Sequence, residues 1–166
     1  MKTQRTNHSL TEVLSGFEVR GKAVSDYAKT GFHAGMFIEK SDLLNVAAVL
    51  FENDYFLEDV SGLDVQEGIL VVYHFDRYER SERLTVRVLT SHEMPSIPSI
   101  VSVFSGADWH ERECFDFFGV VFENHPNLKP LLLPDDLGFH PLLKEKNRQS
   151  LYAVLPFDQL VDGNST

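Results

Sequence analysis

The sequence predicts an α+β fold: a mostly antiparallel four-stranded sheet with helices on one face and an extended proline-rich C-terminal arm. Three observations predict it. Between residues 55 and 90 three strand-like segments are joined by short polar links, which makes them antiparallel neighbours. Helix-forming segments precede and follow this block. Beyond Gly119, Pro126, Pro130, Pro134, Pro141 and Pro156 are spaced too closely for a long helix and favour extended backbone.

In chain order, Ser9-Leu10-Thr11-Glu12 reads as a capping box opening a short helix over residues 11–17, with the first eight residues expected to be mobile. A polar, glycine-marked connection leads to a strand at Gly35-Met36-Phe37-Ile38-Glu39. Ser41 is expected to cap the next helix, whose apolar residues are Leu43, Leu44, Val46, Ala47, Leu50 and Phe51. The strands 55–65, 69–77 and 83–89 follow, separated by Gln66-Glu67-Gly68 and by the charged tip 78–82. Ile69-Leu70-Val71-Val72-Tyr73 is apolar on both faces, as a central strand would be. In the third strand Leu84, Val86 and Val88 alternate with Arg83, Thr85 and Arg87, predicting one packed and one polar face. A helical region is expected over 98–118, with Pro95 and Pro98 at its entry, Gly119 at its exit and Gly106 dividing it. The organisation is thus residues 1–30 as N-terminal helix and linker, 31–120 as the α+β domain and 121–166 as the arm. Leu131-Leu132-Leu133 and Leu142-Leu143 make that arm apolar. The arm is expected to lie against the sheet as an edge strand or against a partner.

Composition narrows the function classes. The formal net charge is −10, which disfavours a phosphate-neutralising surface and hence nucleic acid. The chain has no apolar run of the roughly 20 residues needed to span a membrane. The N-terminus leads into no apolar signal region, so a cytoplasmic location is expected. Cys114 is the only cysteine, so this chain forms no internal disulfide and supplies no four-thiolate iron–sulfur site. Neither GxGxxG after a strand nor GxxxxGK[ST] occurs.

The richest segment runs from residue 107 to 145. Arg112 and Asp116 stand four apart on a helix and can pair, while Trp109, Glu113 and Asp116 share a face. A structural network is the simplest reading. A paired-carboxylate acid/base site of Glu111, Glu113 and Asp116 is an alternative, requiring one carboxyl raised by burial and one kept low. A zinc site of His110, Cys114, His125 and His140 is another, with suitable ligand types but none of the usual spacings. Otherwise Cys114 is a small buried residue, and the imidazoles of His125-Pro126 and His140-Pro141 satisfy backbone groups in irregular chain. Pro134-Asp135-Asp136 reads as a turn or cap, since a magnesium site would need more oxygen donors than are in view.

The run Trp109-His110-Glu111-Arg112-Glu113-Cys114-Phe115-Asp116-Phe117-Phe118-Gly119 is followed by Phe122, His125-Pro126-Asn127-Leu128-Lys129, Leu131-Leu132, Pro134-Asp135-Asp136 and His140-Pro141-Leu142-Leu143-Lys144. Together these closely resemble the signature of the 30-kDa subunit of respiratory complex I, the C-type subunit of bacterial NADH–quinone oxidoreductase. The likeness is sharpest over residues 96–145, and the strand–helix–three-strand order of residues 35–90 fits that family's domain. The resemblance implies a cofactor-free structural subunit of the peripheral arm of a proton-translocating complex, on the cytoplasmic face of the membrane. Iron–sulfur clusters, flavin and quinone would belong to partner subunits: the large quinone-site subunit of 49-kDa type and the iron–sulfur subunits. Glu111, Arg112, Glu113 and Asp116 are then the network fixing the start of the arm. Phe122, His125, Leu128, Leu131, Pro134 and His140 are arm residues ordered by contact, and Trp109, Pro126, Asp136 and Pro141 complete the expected interface.

The sequence departs from the family where two arginines usually follow the His-Pro motif, here Lys129-Pro130, and where His-Pro-Leu-Arg-Lys-Asp is usual, here ending Leu143-Lys144-Glu145. Neither Pro nor Leu replaces a guanidinium fork, so partner contacts differ. A looser arginine pattern suits the related subunit of a membrane-bound energy-converting hydrogenase or formate hydrogenlyase-type complex, with a nickel-hydrogenase-like large subunit as partner. That is the alternative.

Overall fold

The structure, a computed structural model, describes residues 21–24 and 26–154, so the expected helix at 11–17 lies outside the described residues. Five strands form the main sheet: β1 (Gly21–Val24), β2 (Ala34–Ile38), β3 (Tyr55–Val65), β4 (Gly68–Arg77) and β5 (Leu84–Thr90), in the order β1-β2-β5-β4-β3. Strand β1 adds an antiparallel edge to the four expected from sequence. The β3–β4 and β4–β5 pairs are antiparallel, as their short links require, whereas β2 and β5 run parallel. The doubly apolar β4 is an interior strand, paired on both sides, and β5 is the middle one of the five.

Between β1 and β2, the one-turn helix α1 (Tyr27–Thr30) is capped by Asp26, whose side chain accepts from Ala28 N at 3.1 Å. After β2 the chain makes a single 3-10 turn (Lys40–Asp42) before α2 (Leu43–Glu52). Ser41 thus sits inside that turn and does not cap the helix. Helix α2 buries Leu43, Val46, Ala47 and Leu50, the i, i+3, i+4, i+7 stripe of an amphipathic helix.

The region expected to be helical from 98 divides further than Gly106 alone predicts. Ser96–Pro98 is a short strand, β6, paired in parallel with β7 (Val121–Glu123). Helix α3 (Ala107–Phe118) starts only after Gly106 and ends at Gly119, which is left-handed at φ 73°. Proline at 98 is tolerated because β6 is a two-stranded edge where one amide is dispensable. Helix α3 packs over β3, bringing Phe118 against Gly62 so tightly that a Cβ at residue 62 would lie 2.5 Å from the ring.

The main core holds Met36 and Ile38 of β2, Tyr73 and Phe75 of β4, the even-numbered residues Leu84, Val86 and Val88 of β5, and the apolar sides of α2 and α3. A second cluster of Phe37, Val65, Leu70, Val72 and Leu151 occupies the opposite sheet face. Leu151 belongs to α4 (Leu151–Val154), a short helix inside the arm. The face expected to be polar is therefore partly covered, with Thr85 and Arg87 only 1% and 5% exposed, and helical residues lie on both faces. Arg87 donates to Thr85 there, and burial pushes its guanidinium down to about 10.

Candidate functional site

Of the network expected around α3, Arg112 and Asp116 bind the segment that follows, with partners that the sequence did not assign. Arg112 and Asp116 do not pair with each other. Arg112 donates from Nε to the Lys129 carbonyl at 3.2 Å and from Nη2 to the Pro130 carbonyl at 3.1 Å. Asp116 Oδ2 accepts from the amides of Leu131, Leu132 and Leu133 at 3.0, 2.8 and 3.0 Å. One turn of helix thus presents a cation to arm carbonyls and an anion to arm amides in succession. Burial raises the Asp116 carboxyl, but the three amides outweigh it and, with His140, hold it below the usual carboxylate range.

The His140-Pro141-Leu142 motif closes the carboxyl end of the same helix. The last carbonyls of any helix lack intrahelical partners. Here Gly119 N donates to Phe115 O at 2.9 Å, His140 Nδ1 donates to Asp116 O at 2.8 Å, and Leu142 N donates to Phe117 O at 3.1 Å. Because the carbonyl can only accept, His140 carries its proton on Nδ1. Its ring rests over Gly119, where a Cβ would lie 2.7 Å from Cδ2 and Nε2. Gly119 is therefore required twice, for its positive φ and for this approach.

Glu111 plays a different part. It is fully buried, with Oε1 accepting from Ile100 N at 2.8 Å, while Oε2 has no hydrogen-bond partner. Burial pushes its carboxyl up to about 7 against the opposing bonds from Ser99 and Ile100. His125 Nε2 lies 3.9 Å from Oε2. Asn127 N donates to Nδ1 of the same ring at 3.0 Å, so Nε2 carries the proton and gives it to the Asp108 carbonyl at 3.2 Å. The Asp108 side chain, also 3.2 Å away, makes electrostatic contact only. Of the carboxylates Glu111, Glu113 and Asp116, one is raised and one lowered, but Asp116 is saturated by backbone and Glu113 is exposed.

The four residues of the zinc alternative also separate. His110 Nδ1 meets Asp59 at 3.2 Å, Cys114 Sγ donates to Val60 O at 3.6 Å, and His125 and His140 face the groups just described. Among the described residues no three such side chains gather around a common point. Burial pushes the Cys114 thiol up, consistent with its reading as a small core residue.

The other expected interface residues fall into two groups. Phe122 is 1% exposed and Leu128 packs against the core, so both are internal to this chain. Trp109 is 63% exposed, with the Arg112 guanidinium 5.7 Å from its ring centre. Pro126, Pro134, Asp136 and Pro141 are exposed, and residues 134–137 form a turn closed by Leu137 N and Pro134 O. Leu131 and its neighbours form no edge strand.

Sequence reasoning missed a second anchorage, at the β3–β4 turn. Asp64, fully buried, accepts from Lys144 N at 2.6 Å, from Arg148 Nε at 2.8 and 2.9 Å and from His92 Nε2 at 2.7 Å. Burial raises its carboxyl, but these donors together hold it low. Next to it Glu67 accepts from Ser150 Oγ at 2.9 Å and Leu151 N at 2.7 Å, capping α4. Gln66 N completes the clamp on Gln149 O at 3.0 Å. The signal was present in the acid residues of Asp64-Val65-Gln66-Glu67-Gly68, but a tight-turn composition explains them equally well.

The family described as "Respiratory-chain NADH dehydrogenase, 30 Kd subunit" matches residues 36–150, which takes in the first anchorage and all of the second but Leu151. The C-type subunit of the NADH-quinone oxidoreductase of Chloroherpeton thalassium is 37% identical over 139 residues, covering 80% of this chain and 58% of the relative, so the chain spans little over half of that protein's length. The C-type subunit of the F(420)H(2) dehydrogenase of Methanosarcina mazei is 43% identical over 89 residues, covering 52% of this chain and 56% of the relative. A solved trypsin-resistant fragment of Nqo5 superposes with a TM-score of 0.57 at 26% identity, covering 72% of this chain and 96% of the fragment.

Proposed function

Because the chain belongs to the family of the respiratory-chain NADH dehydrogenase 30 kDa subunit, we propose that it is a cofactor-free structural subunit of a proton-translocating NADH–quinone oxidoreductase. It lies in the peripheral arm of that complex on the cytoplasmic face of the membrane, holding the quinone-site and iron–sulfur subunits in register. The observation that carries this reading is the orientation of the arm. Its backbone amides and carbonyls turn inward to Asp116, Arg112, Asp64 and Glu67. Its apolar side chains Leu132, Phe139 and Leu142 turn outward, at 66%, 61% and 48% exposure. An isolated chain gains nothing from such an inversion, whereas a subunit whose apolar side chains are covered on assembly does. The chain holds neither an active site nor an electron carrier in this reading; those belong to its partners.

The second reading, a related membrane complex with another electron donor or a hydrogenase partner, is favoured by the likeness to the F(420)H(2) dehydrogenase relative and by Lys129-Pro130 where the family usually carries arginines. The two separate on recovery of the tagged full chain from gently solubilised membranes of its host. Iron–sulfur subunits with NADH-dependent quinone reduction support the first. A nickel hydrogenase with hydrogen evolution, or a complex driven by another donor, supports the second. A chain recovered without partners overturns both.

A further inference from the structure

A groove of about 250 Å³ runs between β3, at the edge of the main sheet, and α3, with Leu142 of the arm also lining it. Val60, Phe117, Phe118 and Leu142 make its walls apolar. Its charged side chains are Asp59 of β3 and Glu113 of α3, and among the described residues no lysine, arginine or histidine lines it.

The two carboxylates arrive from separate elements. A register shift between Leu57 and Asp59 marks a bulge in the β3–β4 pair, and a bulge bends an edge strand and re-aims the side chain beside it. Asp59 accepts from Ser61 Oγ and faces His110 Nδ1 at 3.2 Å. Glu113 is exposed and has no hydrogen-bond or ion-pair partner among the described residues. After burial, Glu113 and Asp59 are the strongest influences pushing the Cys114 thiol up, so both act on one point of the groove lining. A bulge and a charge also guard an edge strand against pairing with another strand, which accounts for Asp59. It does not account for Glu113, on the helix facing that strand. Glu111, Arg112 and Asp116 of the same helix all bond within this chain, and Glu113 alone of the four is left over.

We infer that this groove docks a basic side chain of a partner subunit, its charge meeting Glu113 and Asp59 and its methylene stem lying along Phe117, Phe118 and Leu142. The inference rests on the subunit reading above. Charge complementarity selects the occupant. Two carboxylates lining one groove with no cation repel each other, and an ammonium or guanidinium relieves that repulsion. His110 does not supply the cation, because it faces Asp59 alone and is charged only when protonated. The apolar walls select a long side chain, since Lys and Arg lay their stems on apolar surface while the charged head stays among polar groups. Those same walls offer too few oxygen donors for a metal ion. Leu142, 48% exposed, is covered on docking and keeps water from the ion pair.

The test uses the complex assembled in the host. Full chains of wild type and variant, carrying different tags, are expressed together, and the ratio in which they enter the purified complex is read by mass. Glu113→Lys is expected to be under-represented about tenfold or more, Glu113→Gln less so, and Glu113→Asp, which keeps the charge, least of all. Glu79→Lys makes the same charge change at the exposed 78–82 tip and should enter like wild type. Thermal melts of the isolated variants separate a docking loss from misfolding; should Glu113→Lys melt low, the Gln and Asp variants decide. As a second readout, labelling with carbodiimide and glycine ethyl ester should modify Glu113 in the isolated chain and spare it in the complex. Wild-type incorporation of Glu113→Lys, equal deficits for Glu113→Asp and Glu113→Lys, a Glu79→Lys deficit as large as that of Glu113→Lys, or labelling unchanged on assembly overturns the docking and leaves the subunit reading standing. A wild-type chain recovered without partners overturns the subunit reading, and this inference with it.

Discussion

Replacing Glu111 by Gln should stabilise the chain at neutral pH and not at acid pH. The carboxyl is fully buried, its Oε2 is unbonded, and burial pushes it up from 4.5 to about 7. Between those two values the native state keeps a proton that the unfolded chain has released. Stability must then fall as pH rises through this window, and the loss is complete above about pH 7. A displacement of this size corresponds to about 3 kcal/mol. Gln retains the acceptor for Ile100 N and does not titrate, so it escapes the loss. Urea unfolding of both full-length chains at matched ionic strength, at intervals from pH 4.5 to 8, reads the difference directly. Relative to wild type the Gln variant should gain about 3 kcal/mol across the window. A difference that stays flat within about 1 kcal/mol, or that favours Glu111 as pH rises, would refute the claim that a buried carboxylate with one oxygen unbonded is being ionised there.

Asp116→Ala should free residues 131–133 and destabilise the arm by about 2–4 kcal/mol, moderated by water reaching the half-exposed amides; hydrogen exchange at Leu131, Leu132 and Leu133 should accelerate ahead of the sheet. Because the Asp116 carboxyl is held low, that protection should persist above the ordinary carboxylate range and disappear only as pH falls through its depressed value. Gly119→Ala is expected to cost about 1–3 kcal/mol from its left-handed φ and the contact with His140, and an unchanged melting temperature with the His140 ring signal in place would contradict the double requirement. Arg112→Lys keeps the charge but serves the Lys129 and Pro130 carbonyls with one point donor, so it should lower stability by about 1 kcal/mol while Arg112→Ala lowers it further; equal effects in thermal melts would place the contribution in charge alone.

Strands β3 and β4 were readable because short polar links separate segments rich in aromatic and aliphatic residues, a local pattern that leaves little choice of pairing. The carboxyl end of α3 was readable for a similar reason, since Gly119 closes a helical run that cannot continue. The helix start was not. Pro98 looks like a first-turn residue until β7, whose Glu123 lies opposite it, is in place. Arg112 and Asp116 illustrate the same limit at the site. Their spacing permits an ion pair, and nothing local reveals that the arm's backbone will outbid each for the other.

By itself the sequence determined the α+β class and the order of β2, α2, β3, β4 and β5, because each is written in hydrophobic period or turn chemistry within a few positions. Tertiary structure alone decided the parallel β2–β5 pair, the covering of the second sheet face by α4, and the grip of Asp64 on Lys144 and Arg148. Those contacts join residues far apart in the chain, up to 84 positions for Asp64 and Arg148, and a carboxylate's partners at that range are set by which backbone and side-chain donors the folded chain brings to it away from water.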